Sequence, residues 1–336
     1  MDVVVGLDNG GNANKPTVLD ATGCFLVDEL VEMPSLVLEG PAVAVEALAE
    51  AFNSVLALTG VPISAVRGVG LDTPGPASAD GVISSKGSTN FSMPAWRGFD
   101  IRGALEARLE LPVVYSNDGN AAALYAHHVH FGADAHRRSS VSVVVGTGLG
   151  GGMVESGRVV RGAAGMAGEL GHVLIPLDGI LDEGQPVPAC NCGNLGDAES
   201  VASLSAITRN LLPYWLTRYP DHELAGIPVS AAAKLVRSHA ERGDPMARAI
   251  FTQQAKAIGR LFTIVSNVTD PDAYFIGGGV VETTPEMRKW FVDLTTEHTM
   301  LREEQRRVAS FAEVPDLDMA GARGAALAAW AHLTGR

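Results

Sequence analysis

Two cysteines stand one residue apart in the stretch CNCGNLGDAE, which covers residues 190–199. Thiolates are good zinc ligands, and such a pair beside glycines looks like half of a metal knuckle. The chain has one other cysteine, Cys24, far away in the sequence. The residues alone therefore leave open which other side chains would complete a metal site, and what a metal would hold in place.

Two aspartates follow predicted strands at points where a carboxylate can act on a substrate. Asp118 comes after the apolar strand predicted at 112–115 and directly before a predicted helix. It is either a helix N-cap or a general base that accepts a hydroxyl proton during phosphoryl transfer, beside the amide of Asn117. Asp8 ends the first predicted strand, where it is either a turn-forming residue or a ligand for Mg²⁺ next to phosphates.

Clusters of glycine follow three of the predicted strands. A glycine loop lets backbone N–H groups approach phosphate oxygens without interference from a Cβ, but it can equally be a tight turn without a ligand. A dinucleotide fold requires a helix directly after the loop, whereas the residues after Gly152 are strand-like, and no Walker motif occurs. The pattern therefore indicates a nucleotide site built from strand and hairpin turns. The three clusters are Asp8–Asn12, Gly146–Gly152 and Gly277–Gly279.

The elements that must position these residues form two similar series. Each half of the chain runs strand, glycine loop, hairpin, helix, strand and glycine loop, which favours two α/β lobes with a cleft between them. The predicted strands are 3–7, 17–19, 68–71, 112–115, 142–145, 273–276 and 307–311, with a hairpin at 153–160. The predicted helices are 41–59, 100–109, 118–130, 198–211, 229–240, 244–266, one from 285, and 320–334.

The composition is that of a folded chain and excludes several classes of protein. The 336 residues are 46% hydrophobic and 19% charged, which is typical of two globular domains or one two-lobed fold. We expect no membrane span and no signal peptide, because no long apolar run and no basic leader occur. Three cysteines indicate a reducing, cytoplasmic compartment, and the net charge of −13 argues against nonspecific binding to nucleic acid.

Taken in order, these motifs resemble those of the ROK family of sugar kinases and sugar-responsive repressors, over nearly the whole chain. The stretch DNGGNANK at 8–15 resembles the first phosphate motif of the family, and GTGLG at 146–150 resembles the second. The stretch NDGN at 117–120 resembles the catalytic motif, and GELGH at 168–172 resembles its E-x-G-H motif. Further matches are the PGP loop at 74–76, Asn90 with WRG at 96–98, the glycines at 277–279 and the closing helix at 321–326.

The resemblance implies a fold like that of hexokinase and actin, with two ribonuclease-H-like lobes and a central cleft. The small lobe would be residues 1–117 plus 313–336, and the large lobe would be residues 118–312 with a zinc-type loop. The implied activity is ATP-dependent phosphorylation of a sugar hydroxyl, first of all a primary hydroxyl of a hexose such as glucose, by a homodimer. The alternatives are a C7-cyclitol 7-kinase of the valiolone type and a non-catalytic sugar-binding member. A repressor would need a DNA-binding domain before Asp8, where seven residues stand.

The resemblance also implies roles for individual residues, with ATP, Mg²⁺ and a structural Zn²⁺ as cofactors. Asp118 would be the catalytic base. The sugar would be contacted by Asn90, Asn117, Asp118, Glu169, His172 and Glu199. ATP and its phosphates would be bound by Asp8, Gly10, Gly11, Asn12, Lys15, Gly146, Thr147, Gly148, Gly150, Gly277, Gly278 and Gly279. Zinc would be bound by His172, Cys190, Cys192 and Asp197, which stands in the place of a third cysteine.

The chain departs from the family pattern at three places near the site. Asn12 replaces the threonine of the first phosphate motif and Asn14 is the next polar position, where an amide can still donate to a phosphate. The loop between His172 and Cys190 is longer than usual, with Gly179–Ala189 as the extra segment on the sugar side, so the substrate need not be plain glucose. Asp197 has a second interpretation, in which it caps the helix predicted to follow it.

Overall fold

The computed structural model describes residues 2–75, 77–85 and 91–335. The chain divides into two compact units. Unit 1 comprises Met1–His136, Gly152–Gly168 and Pro315–Arg336, and unit 2 comprises Arg137–Gly151 and Glu169–Val314. The helix that begins at Asp118 belongs to unit 1, whereas the lobe division suggested by the sequence starts its second lobe there. That functional division of the chain stays a prediction.

Each of the two sheets in the described part of the chain has five strands. The first has the order β3-β2-β1-β4-β5, and the second has the order β10-β9-β6-β7-β8. The strands are β1 Val3–Asn9, β2 Ala13–Asp20, β3 Met33–Pro34, β4 Val66–Thr73, β5 Val113–Asn117, β6 Ser140–Val145, β7 Leu149–Glu155, β8 Arg158–Val159, β9 Ala273–Gly278 and β10 Ser310–Glu313. In the first sheet, β1 and β2 form an antiparallel hairpin while β1, β4 and β5 are parallel, so the carboxyl ends of these three strands lie at one edge.

The helices agree with most of the predicted ones. They are α1 Pro41–Thr59, α2 Ile101–Leu109, α3 Asp118–Phe131, α4 Leu204–Ala206, α5 Leu212–Arg218, α6 Val229–Glu241, α7 Pro245–Thr269, α8 Pro285–Glu297, α9 Glu303–Arg306 and α10 Leu317–Thr334. A π-helical turn, Ile207–Leu211, joins α4 to α5. The helix predicted to start at residue 198 therefore starts at Leu204, and the prediction for 198–203 is wrong.

Among the described residues, α1 is the helix that by length and composition alone could cross a membrane. Half of its apolar window is buried within the protein. Leu48, Phe52 and Val55 lie in the hydrophobic core of unit 1 together with Leu7 of β1 and Leu71 of β4. The buried face of α1 is thus part of the layer that covers the first sheet, which accounts for its apolar composition.

Glycines let α10 approach both the first sheet and α3 at backbone distance. A Cβ on Gly70 of β4 would lie 2.0 Å from the carbonyl oxygen of Ala325. A Cβ on Gly324 would lie 1.8 Å from the carbonyl oxygen of Ala121 in α3. Contacts this close leave no room for a side chain, so α10 determines where α3, and with it Asp118, can lie within unit 1.

Replacing Gly324 by alanine is expected to destabilise the protein by about 1–3 kcal/mol or more, because α10 and α3 must separate to admit the methyl group. Unfolding in urea measures the effect. Gly226→Ala is the matched control, since nothing lies within 4 Å of a Cβ at that position and its φ is not positive. Equal stability of the two variants would show that the two helices do not pack as tightly as described.

Candidate active site

Acidic side chains lie at the carboxyl-terminal edge of the first sheet. Asp8 of β1 and Asp72 of β4 are direct neighbours in the strand register. Asp72 is entirely buried, and its carboxyl group is hydrogen-bonded to that of Asp8. Burial raises the pKa of Asp72 well above its usual value, and the negative charges of Asp8 and Asp118 raise it further. Burial also raises the pKa of Asp8 to about 6, although the ammonium group of Lys15 opposes this effect.

The sequence interpretation overlooked Asp72. It ended the predicted strand at Leu71 and took the following residues as the start of a loop, whereas β4 continues to Thr73. A signal was present, because an aspartate after an apolar run is the same feature that singled out Asp8 and Asp118. What the sequence did not indicate is that β4 lies directly beside β1.

Asn117 caps helix α3, and Asp118 does not. The side-chain oxygen of Asn117 accepts hydrogen bonds from the backbone N–H groups of Gly119, at 2.9 Å, and Asn120, at 3.3 Å. Asp118 is the first helical residue and is exposed, with its Oδ1 accepting from the N–H of Gly119 at 2.7 Å. The N-cap interpretation of Asp118 is therefore wrong. Its carboxylate stands at the positive end of the helix dipole, which favours the charged form.

The first glycine cluster forms the turn between β1 and β2. The N–H of Gly10 donates to the carbonyl oxygen three residues later at 2.9 Å, Gly11 is partly exposed, and Asn12 is exposed. Asn14 is fully buried and accepts from the side-chain amide of Asn9, also buried, at 2.6 Å. The amide nitrogen of Asn14 has no hydrogen-bond partner among the described residues, so its donation to a phosphate stays a prediction.

Lys15 follows this turn on β2, directly opposite Asp8 in the register. Its Nζ lies 3.4 Å from a carboxylate oxygen of Asp318 and 3.7 Å from one of Glu32. The Lys15 side chain is 19% exposed and the two carboxylates are much more exposed. The ammonium group of Lys15 therefore lies at this edge of unit 1, near the carboxylates of Asp8, Glu32 and Asp318.

The second glycine cluster begins as a loop after β6 and continues into β7. The carbonyl oxygens of Gly146 and Thr147 accept from the backbone N–H groups of Leu204 and Ser205 at 3.0 and 3.1 Å. These contacts turn the two carbonyl groups toward the start of α4, and the N–H of Gly146 donates to the carbonyl oxygen of Gly148 at 2.9 Å. Gly150 and the glycines after it are strand residues of β7, so the predicted loop is shorter than expected.

The third glycine cluster closes β9 against β6. Gly277 and Gly278 are buried strand residues, and Gly278 has a φ of 85°, which favours glycine. A Cβ there would lie 2.2 Å from the carbonyl oxygen of Val145, to which the N–H of Gly279 donates at 2.9 Å. The carbonyl oxygen of Gly279 accepts from the guanidinium group of Arg237 at 3.2 Å. Close packing of β9 against β6 is thus sufficient to explain the glycine at 278. A contact of this cluster with a nucleotide stays a prediction.

The four predicted zinc ligands lie together in unit 2. Nδ1 of His172 lies 3.3 Å from Oδ2 of Asp197 and 3.8 Å from Sγ of Cys190, while Sγ of Cys192 lies 3.4 Å from the same Asp197 oxygen. The four ligand atoms are all within 4.8 Å of one another. A tetrahedral zinc ion separates its nitrogen, oxygen and sulfur ligands by roughly 3.3–3.8 Å, given the usual bond lengths. These residues therefore fit a zinc ion.

Local backbone pairing brings Asp197 to His172. Segment 196–199 runs beside segment 171–175, with the N–H groups of Ala198 and Glu199 donating to the carbonyl oxygens of Val173 and Gly171 at 3.0 and 2.8 Å. The Oδ1 of Asp197 accepts from the N–H of Ser200 at 2.9 Å, while its Oδ2 faces the cluster. The interpretation of Asp197 as a helix cap is wrong, because the helix that follows begins at Leu204 with Ser203 as its N-cap. Its role as a zinc ligand stays a prediction.

Glu199 joins this cluster to the second glycine loop. Its Oε2 accepts from the backbone N–H of Leu149 at 2.9 Å, and its Oε1 lies 3.4 Å from Sγ of Cys190. A Cβ on Gly148 would lie 2.4 Å from Oε2, so a larger residue there would displace this carboxylate. Partial burial raises the pKa of Glu169, the carboxylate of Glu199 adds to this effect, and His172 opposes it. The predicted sugar contacts Glu169, His172 and Glu199 are therefore neighbours within unit 2.

Three sequence predictions concern segments beyond this cluster. Asn90, a predicted sugar contact, and Pro76 of the PGP loop lie outside the described residues. The extra segment after Gly179 is anchored on α7, where the amide of Gln253 donates to the carbonyl oxygen of Ile180 and to Gln185 at 3.1 and 2.5 Å. The segment is thus a braced part of unit 2.

A second cluster of metal-ligand types occurs near the start of α7. His222, His239 and Asp244 offer ligand atoms within 4.8 Å of one another. Nδ1 of His222 accepts from the backbone N–H of Leu224 at 3.1 Å, so the ring proton is on Nε2, which donates to Asp244 at 3.0 Å. A metal would have to displace that proton. Asp244 also caps α7 through the N–H of Ala247, so we assign this cluster to helix capping.

Comparison with known proteins gives a consistent result along the chain. The profile of the ROK family matches residues 4–332. A glucokinase of Halalkalibacterium halodurans is 32% identical over 286 residues, which are 82% of this chain and 80% of that protein. The crystal structure of the ROK hexokinase from Thermus thermophilus is 31% identical, covers 99% of this chain and 100% of its own, and has a TM-score of 0.77. That of a ROK family glucokinase from Streptomyces griseus, in complex with glucose and AMPPNP, is 27% identical, covers 96% and 98% of the two chains, and has a TM-score of 0.67.

Proposed function

The chain belongs to the ROK family, and we propose that it is an ATP-dependent kinase that transfers the γ-phosphate to a hydroxyl group of a sugar. Its mixed α/β fold with two sheets is that of the ROK hexokinases, and the relatives of similar length are sugar kinases. The observation that carries the proposal is the position of Asp118, whose carboxylate is exposed at a strand end because Asn117 has taken over the capping of α3.

In this proposal Asp118 is the general base. It accepts the proton of the attacking hydroxyl as the bond to phosphorus forms, which requires a charged carboxylate within hydrogen-bond reach of the sugar. The start of α3 favours that charged form. Asn117 is held by two backbone N–H groups, so it fixes the orientation of its neighbour and can present its amide nitrogen to a sugar oxygen.

The nucleotide phosphates are the proposed ligands of the glycine turns. In unit 1 the relevant residues are Asp8, Gly10, Gly11, Asn12 and Lys15, and in unit 2 they are Gly146, Thr147 and Gly148. Backbone N–H groups of such turns bind phosphate oxygens without a large reorganisation. A magnesium ion, when bound, neutralises charge on the β- and γ-phosphates. The adjacent carboxyl groups of Asp8 and Asp72 are of the ligand type that such a cation prefers.

We take a hexose as the acceptor and its primary hydroxyl as the site of transfer. The relatives named glucokinase and the glucose complex of the Streptomyces griseus enzyme support a hexose. The polar side chains predicted to contact the sugar, which are those of Asn117, Glu169, His172 and Glu199, could each pair with a hydroxyl group and so disfavour analogues that lack it. A zinc ion at His172, Cys190, Cys192 and Asp197, a homodimer and a cytoplasmic location complete the proposal.

A panel of acceptors tests this function. Purified protein with ATP and Mg²⁺ is expected to release ADP with glucose or another hexose, and mass spectrometry of the product is expected to show phosphate on a primary hydroxyl. The panel includes amino sugars and C7-cyclitols, because the extra segment at 179–189 distinguishes this chain from the family pattern. ADP release with a cyclitol alone would replace the hexose by that substrate. Binding of sugar without ADP release for every acceptor would contradict the kinase proposal.

A further inference from the structure

Two charged side chains of helix α6 contact the loop that follows β9, residues 279–283, here called the β9 loop. Nη1 of Arg237 donates to the carbonyl oxygen of Gly279 at 3.2 Å. Glu241, one helical turn later, accepts from the hydroxyl group of Thr283 through its Oε1. Residues four apart lie on the same face of an α-helix. One face of α6 therefore presents a cation and a carboxylate to the same short loop.

The β9 loop is also held by contacts that do not involve α6. The N–H of Gly279 donates to the carbonyl oxygen of Val145 at 2.9 Å, and Nη2 of Arg288 donates to the carbonyl oxygen of Thr283 at 3.1 Å. Arg237 is exposed, and its bond to Gly279 uses one of the five N–H groups of a guanidinium. Its guanidinium group therefore keeps further donors and a planar face for a ligand.

The β9 loop lies beside the second glycine loop at the carboxyl-terminal edge of the second sheet. Strands β6 and β9 are parallel neighbours, and Val145 pairs with Gly278 in the register. The chain leaves β6 into Gly146–Gly148, where the phosphates are proposed to bind, and leaves β9 into the β9 loop. Ligands of such sheets bind outside the carboxyl ends of the strands. A nucleotide whose phosphates lie at the first loop thus has the second loop next to it.

The chemistry of the two side chains suits a nucleoside better than a phosphate. A carboxylate repels phosphate oxygens but accepts hydrogen bonds from ribose hydroxyl groups, as an acidic residue does in dinucleotide-binding folds. A guanidinium group stacks on the face of an aromatic ring and is attracted by its electrons. Arg237 and Glu241 together therefore match a base and the ribose attached to it.

We propose that Arg237 and Glu241 bind the nucleoside end of the nucleotide, with the guanidinium group against a face of the base and the carboxylate accepting from a ribose hydroxyl. This inference rests on the proposed function for the identity of the ligand. It concerns nucleotide affinity, which is measured without an acceptor and without turnover.

Calorimetric titration of the full chain with ADP and Mg²⁺ tests the role of Arg237. Arg237→Ala is expected to bind ADP about tenfold more weakly, because the contact with the base is lost. Arg237→Lys keeps a donor for Gly279 but loses the planar group, so it is expected to resemble the alanine variant. Inorganic tripolyphosphate, which carries no nucleoside, is expected to bind equally to the variants and to wild type.

Arg242→Ala is the matched control for the loss of one positive charge. Arg242 is exposed at the end of α6 and lies on another side of the helix from Arg237, so its replacement is expected to leave ADP affinity unchanged. If Arg237→Ala also binds ADP as wild type does, or if lysine restores full affinity, Arg237 only supports the β9 loop and the proposal is overturned.

The ribose contact is tested with 2′,3′-dideoxy-ADP. Wild type is expected to bind it about tenfold more weakly than ADP, because a hydrogen bond to a charged group is lost. Glu241→Ala is expected to bind the two nucleotides with equal affinity. Thr283→Val removes the bond between Glu241 and the β9 loop but keeps the carboxylate, so it is expected to retain the preference for ADP. A full preference for ADP in Glu241→Ala would contradict the assignment of the ribose.

Failure of this inference and failure of the proposed function give different results. A chain that releases ADP with a hexose, but binds ADP independently of Arg237 and Glu241, keeps the kinase function and loses this site. A chain that binds ADP through both residues but releases ADP with no acceptor keeps the site and loses the kinase function. Absence of ADP binding to wild type would overturn both.

Discussion

Replacing Asp118 by asparagine is expected to lower kcat for phosphoryl transfer by about 10²–10⁴-fold, the usual contribution of a general base. The reason is that an amide has nearly the shape of a carboxylate but cannot accept the hydroxyl proton. Binding of sugar and nucleotide is expected to persist, because the amide keeps most of the hydrogen-bonding capacity of the side chain. The rate of ADP release gives kcat, and calorimetry with the sugar gives its affinity.

Asp100 provides the control that separates catalysis from capping. It is the N-cap of α2, where its Oδ1 accepts from the N–H of Gly103 at 2.7 Å. Asp100→Ala is expected to cost about 1 kcal/mol of stability, as loss of a cap usually does, without a change in kcat. Asp118→Asn is expected to lower kcat without a loss of stability. If instead it loses stability and retains its rate, the carboxylate has a structural role and another group must be the base.

The part of the site that the sequence predicted well rests on local signals. The apolar run before Asp8, the glycines after it, and the strand and helix on either side of Asp118 are readable one segment at a time. The predicted helix at 41–59 coincides with α1 for the same reason. The position of these residues at the ends of strands and helices was therefore predictable, while their chemistry stays a prediction.

The part that the sequence missed depends on pairing between distant segments. Asp72 lies beside Asp8 because β4 pairs with β1. No local sequence pattern reveals that these two strands are neighbours. The helix predicted at 198 fails because the N–H groups of Leu204 and Ser205 donate to the carbonyl oxygens of Gly146 and Thr147, and not to carbonyl groups one helical turn earlier in the chain. The side chain of Asn14 is buried beside that of Asn9, which is a result of the hairpin register.

Asn117 shows how two compatible interpretations become distinguishable. The sequence motif places an amide and a carboxylate in adjacent positions before a helix, and either residue type is a good N-cap. The backbone conformation decides, because Asn117 is in the extended region while Asp118 is helical. Asn117 thus caps the helix, and Asp118 is its exposed first residue.

The second large effect is expected at Asp197, where the two carboxylate oxygens have different tasks. Asp197→Asn keeps an oxygen for the N–H of Ser200 but loses the anionic ligand, so zinc affinity is expected to fall at least about tenfold. Asp197→Ala loses the cap as well and is expected to be the least stable variant. Asp197→Cys restores an anionic ligand and is expected to retain zinc. Zinc per chain after exposure to a chelator, together with the unfolding temperature, measures all three.

The order of these variants distinguishes a zinc site from a capped turn. Retention of wild-type zinc by Asp197→Asn, or an absence of zinc from the wild-type protein as purified, would leave Asp197 as a cap alone. Where zinc is present, its loss is expected to weaken nucleotide binding, because Glu199 contacts both Cys190 and the N–H of Leu149. We therefore expect Asp197→Asn to raise KM for ATP as well as for the sugar. A zinc ion that only stabilised its own loop would change the unfolding temperature and leave both KM values unaltered.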